Sequence, residues 1–143
     1  MSTHYGSVIY VERLLYNHFG IYIGGNRVIH YYKPDGNSCC DGVISETNID
    51  KFLDGAKSYK VLDCSPLIAK PSIWWSSGLD WIKYWLRDKD VKLYSAEETV
   101  QRAKSFIGKH DYNVIFNNCE HFAIWCKTGM RLSQILCKLP VAM

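Results

Sequence analysis

The chain has no run approaching ~18 consecutive apolar residues, so nothing in its 143 residues reads as a membrane-spanning helix. It also lacks a signal-peptide start, because "MSTHYGSVIYVERLL" shows no basic segment followed by a long apolar one. Its six cysteines (39, 40, 64, 119, 126 and 137) follow no repeated spacing. These absences predict free thiols in a reducing compartment rather than a disulfide scaffold, hence a cytoplasmic protein with room for peripheral membrane contact. Neither C-x2-C nor H-x3-H pairs occur, which argues against a common zinc site and predicts no metal. No basic run or basic–aromatic motif accompanies the mild net charge of +3, so nucleic acid is not an expected partner. Internal repeats and low-complexity linkers are missing too.

What is present is a globular composition, 48% hydrophobic and 22% charged, in a chain long enough for one core and too short for two ordinary ones. A single domain over 1–143, with its core at about 6–129, is the expectation. The first third reads as strand: "SVIYVE" (7–12), "HFGIYIG" (18–24) and "RVIHYY" (27–32) are rich in β-branched and aromatic residues. Gly24, Gly25 and Asn26 supply a turn, since all three tolerate positive φ. "KPDGNS" (33–38) reads as a loop, 46–56 as a short helix and 58–64 as a strand.

"SAEE" at 95–98 is a capping box. Beyond it Val100, Ala103, Phe106 and Ile107 share a helical stripe that Gly108 ends. A second helix begins near Cys119, capped by Asn117 or Asn118, and stops at Gly129. Strands first and helices last predict an α+β fold.

The stretch "NNCEHFAIWCKTG" (117–129) sets a thiol in the first turn of that helix. Unpaired N–H groups and the helix dipole favour thiolate there, lowering a cysteine pKa from ~8.5 toward 7. Acyl chemistry on such a thiol needs a histidine nearby as proton acceptor and donor. His18 and His30 are the candidates. A three-residue Gly24-Gly25-Asn26 loop sets Ile23 opposite Arg27 and His18 opposite Tyr32, which makes His30 a diagonal neighbour on the same face, ~7–8 Å away between backbones. A two-residue loop would put the rings on opposite faces. A base and a second ring that orients it follow triad logic. Against this stand the ordinary roles of such residues: strand histidines are commonly structural hydrogen-bonders, and buried cysteines small hydrophobes. His121 falls about 200° round the helix from Cys119 and points away.

"YNHFGIYIGGNRVIHYY" (16–32) together with the Asn-Cys-Glu-His-Phe block resembles the lecithin:retinol acyltransferase (LRAT)-like family, from about Gly6 to Gly129. That family, which includes the small phospholipase A/acyltransferases, belongs to the circularly permuted NlpC/P60 papain-like group. The order His before Cys is what permutation implies. The resemblance implies an antiparallel sheet packed against helices, one of them bearing the nucleophile. It casts Cys119 as a nucleophile that becomes an S-acyl thioester, His18 as general base and His30 as the ring that orients it. Tyr16 sits where many members carry an aromatic residue, its phenol able to assist an oxyanion, and Asn118 is a second candidate for oxyanion support. The implied substrate is a glycerophospholipid ester, with no metal or organic cofactor required. Gly6-Ser7 stands where the family often has Gly-Asp, and this chain ends fourteen residues after Gly129, where many members continue into a membrane anchor. That ending fits a soluble or peripheral protein, or a shortened chain. Two other uses of the same residues are a cysteine amidase or peptidase of NlpC/P60 type and a non-catalytic membrane- or protein-binding module.

Trp74, Trp75, Trp81 and Trp85 crowd "PSIWWSSGLDWIKYWLRD" (71–88), which is not a recognised family motif. A helix there cannot bury every ring in one small core. Contact with a lipid interface is one use of the surplus, and core packing with a homodimer contact is the other.

Overall fold

The computed structural model describes residues 4–14, 16–34, 42–68, 91–109 and 118–130. Among the described residues five strands form one antiparallel sheet: β1 (Val8–Glu12), β2 (Asn17–Tyr22), β3 (Arg27–Tyr32), β4 (Val43–Asn48) and β5 (Lys60–Leu62), in the order β4-β3-β2-β1-β5. Among the described residues the helices are α1 (Ile49–Leu53), α2 (Ser65–Ile68), α3 (Ala96–Lys104) and α4 (Asn118–Thr128). This is the expected α+β papain-like arrangement, with the Cys119 helix packed on the sheet.

Alternation along the strands sorts the core into two layers. On one face Val8, Phe19, Ile21, Ile29, Tyr31 and Ile44 pack against Ala103 of α3 and Cys119, Phe122, Ala123 and Cys126 of α4. On the other, Ile9, Val11, Tyr22 and Val28 close around Phe52 of α1. Because both faces of β2 are covered, "HFGIY" is buried at every position and shows no polar alternation.

The β2–β3 turn has the predicted register. Ile23 N–H donates to Arg27 O at 3.0 Å, and Gly20, Ile21 and Tyr22 pair with His30, Ile29 and Val28. Gly24, Gly25 and Asn26 take φ of 82°, 59° and 59°, the left-handed region that glycine and asparagine reach most readily.

Four expectations need correction. The end of β4 occupies residues expected to be helical; its only fully buried apolar side chain is Ile44, so an edge strand this polar carries no hydrophobic alternation. The helix expected over 46–56 is five residues long, opened by Asn48, whose side chain accepts from Lys51 N, and closed by Asp54 at φ 43°. The strand expected over 58–64 is three residues long. The capping box at Ser95 and Glu98 forms as predicted, but α3 ends at Lys104 and Ile107 is exposed in the turn beyond it.

Candidate functional site

The odd-length turn brings His18 and His30 onto one face, where His18 Nε2 lies 2.9 Å from His30 Nδ1. Gly20, the residue paired with His30, makes the space. A Cβ there would come within 2.9 Å of Phe52 Cε1, 2.8 Å of Val28 Cγ1 and 3.1 Å of His30 Cβ. Phe52 packs against both imidazoles with ring centroids 5.2 Å away, and Tyr16 meets His18 edge-on at 6.4 Å. Arg13 ties the loop before His18 to the end of α1 by hydrogen bonds to Phe52 O and Leu53 O, at 3.2 and 2.6 Å. The second nitrogen of His30, Nε2, is 2.8 Å from Thr47 Oγ1 on β4. His18 Nδ1 is buried and, among the described residues, has no hydrogen-bond partner.

Cys119 is the second residue of α4 and is fully buried. Its side chain packs on the opposite face of the sheet from Phe52, yet Sγ reaches the β2 backbone on either side of His18. It donates to Asn17 O at 3.6 Å, and the N–H of Phe19 points to it. The thiol and the imidazole thus flank the same short piece of β2 backbone.

Burial governs the charge states. It pushes the Cys119 thiol up to about 11, although the N–H groups of Phe19 and Glu120 pull downward. It depresses His18 to about 4, helped by the Arg13 guanidinium, and His30 to about 3, helped by His18. All three groups are therefore neutral at rest. Desolvation thus opposes the thiolate that the helix start alone favours, and depth of burial is not written in a local motif.

His18 and His30 meet on one face with Tyr16 beside His18, while Cys119 lies on the other face against the β2 backbone around His18. Asn118 opens α4, but its side chain lies outside the described residues, as do Trp74, Trp75, Trp81 and Trp85. Sequence reasoning alone misses Thr47, Phe52 and Gly20. Of these only Gly20 carries a signal, a glycine inside a strand being a mark of close approach. The depression of about 510 Å³ lined by Tyr32, Lys33, Asp50, Lys51 and Asp54 has none of Cys119, His18 and His30 in its wall.

The family described as Lecithin retinol acyltransferase matches residues 1–132. The chain belongs to the lecithin retinol acyltransferase family. It is 32% identical to the mouse (Mus musculus) lecithin retinol acyltransferase over 139 residues, covering 90% of this chain and 55% of that protein. With the human (Homo sapiens) protein it shares 28%, covering 92% and 57%. It is 29% identical to rat (Rattus norvegicus) phospholipase A and acyltransferase 1, covering 93% of this chain and 72% of that one. The chain thus spans about half the length of the lecithin retinol acyltransferases it matches. Among the described residues, no helix is long and apolar enough to cross a membrane.

Proposed function

We propose that this member of the lecithin retinol acyltransferase family is a thiol acyltransferase and phospholipase that cleaves glycerophospholipid esters through an S-acyl-Cys119 intermediate. The observation that carries the reading is His18 Nδ1, a nitrogen without a partner among the described residues, buried beside the strand backbone on which the Cys119 thiol rests. The names of the relatives supply the lipid class.

Because thiol and imidazole are both neutral at rest, the proton moves as the carbon–sulfur bond forms. Cys119 Sγ attacks the ester carbonyl and His18 Nδ1 takes the thiol proton. His30 holds the ring through Nε2. Backbone N–H groups at the start of α4 stabilise the oxyanion, with the Tyr16 phenol and the Asn118 amide as supporting candidates. Collapse returns the proton from His18 to the lysolipid alkoxide and leaves the thioester. Water or another acceptor then gives its proton to His18 and takes the acyl chain. Peripheral docking on a bilayer belongs to the same reading, supported by Leu14, which is 97% exposed in the loop before Tyr16. A homodimer contact is the competing use of the tryptophan-rich segment.

The deciding experiment is intact-protein mass spectrometry after incubation with a long-chain phosphatidylcholine, comparing wild type with Cys119→Ala. The expected result is a gain of one acyl mass in wild type only, removed by hydroxylamine. No adduct, no fatty acid and no lysolipid would sink the ester reading and turn attention to amide substrates.

A further inference from the structure

The hydrogen bonds on the histidine face run in one direction. The carbonyl of Asn48 can only accept, so the Thr47 hydroxyl, 2.9 Å away, donates to it. While that bond holds, Thr47 Oγ1 accepts across the 2.8 Å to His30 Nε2, which places hydrogen on that nitrogen. In a neutral ring the other nitrogen is then bare. His30 Nδ1 therefore accepts from His18 Nε2 at 2.9 Å, and His18 in turn keeps its proton on Nε2 and leaves Nδ1 bare. Reversing the hydroxyl reverses every link and ends with a proton on His18 Nδ1, where a base has to be empty. The Asn48 carbonyl is the stop that prevents this.

We propose that Thr47 is a positioning residue of the acyl-transfer site, its hydroxyl fixing the tautomer of His30 and through it that of His18. This rests on the proposed function for the reaction it serves, but the tautomers are a property of the resting protein. β4 pairs Thr47 with Val28 and puts it diagonal to His30, so the hydroxyl meets the ring from the neighbouring strand. The burial that keeps both rings neutral is what makes the tautomers matter, since a charged ring would carry hydrogen on both nitrogens.

The test combines a spectrum with kinetics. In protein labelled with 15N-histidine at neutral pH, long-range ring correlations should show hydrogen on Nε2 of both His18 and His30. Thr47→Val keeps the branched shape and removes the acceptor; it should move hydrogen onto Nδ1 of His18. It should also lower kcat on phosphatidylcholine with KM unchanged, on the order of ten- to a hundredfold by analogy with the outer partners of metal-ligating histidines. Thr47→Ser should restore both spectrum and rate. A wild-type spectrum with hydrogen on Nδ1 of His18 overturns the proposal whatever the variants do, including a Thr47→Val chain that fails to fold. So does a Thr47→Val spectrum identical to wild type, or a Thr47→Ser protein as impaired as Thr47→Val. The expected tautomers without any lipid turnover would support the Thr47 assignment and defeat the ester reading instead.

Discussion

The two faces of the sheet both bury apolar surface and use it differently. On the α3/α4 face, aliphatic and aromatic side chains surround three free cysteines, Cys64, Cys119 and Cys126, whose thiols are weak hydrogen-bonding groups. On the α1 face, a smaller cluster around Phe52 encloses two imidazoles, which are costly to bury unless each nitrogen is satisfied. Three of the four imidazole nitrogens are satisfied, and the fourth is His18 Nδ1. The thiol face contributes shape and the Cys119 sulfur, whereas the histidine face contributes a directed set of hydrogen bonds. β2 belongs to both, its even-numbered side chains serving one and its odd-numbered side chains the other.

The comparison breaks most severely at Phe52. Phe52→Ala empties the centre of the histidine face and should cost about 3–5 kcal/mol in urea unfolding, the usual range for a fully buried aromatic. A loss below about 1 kcal/mol would mean that α1 is not what encloses the rings. Acid is the next lever. His18 and His30 bind protons more weakly folded, at about 4 and about 3, than unfolded, near 6.5. The unfolded chain takes up protons first, so this stability is full above pH 6.5 and is lost as pH falls toward 4. For His18 alone the whole shift is worth about 3 kcal/mol, and the two coupled rings do not simply add. Unfolding midpoints at pH 7.5 and 5 should show the decline, and His30→Gln should reduce it; a level profile between those values would refute the buried-neutral picture. The smallest effect belongs to the other face. Cys119→Ala should change stability by about 1 kcal/mol or less and leave that pH profile intact, while removing the acyl adduct.

Much of the frame is legible in the sequence. The β2–β3 register follows from an odd loop of residues tolerant of positive φ, and the pairing of His18 with His30 follows from the register. The capping box announces the start of α3 and Gly129 the end of α4. β4 is not legible, because an edge strand reading "VISETN" carries polar residues on its open side, and its best local signal, Asn48, belongs to the cap of the next helix. Thr47 is hidden with it. The ionisation of Cys119 escapes a local reading for another reason: a helix start is visible in sequence, whereas the layer that seals it from water is assembled from β2 and α4, about a hundred residues apart.

Full burial of Cys119 has a consequence for survival as well as for catalysis. Oxidants react with thiolates they can reach, and this sulfur is neither ionised nor accessible at rest. The proposed nucleophile is thereby kept off the path to sulfenic and sulfinic acids in the resting protein. Peroxide at neutral pH should therefore oxidise Cys119 far more slowly in the resting protein than in the unfolded chain, as mass spectrometry of the peptide containing it would show. Equal rates would mean that the seal is not there.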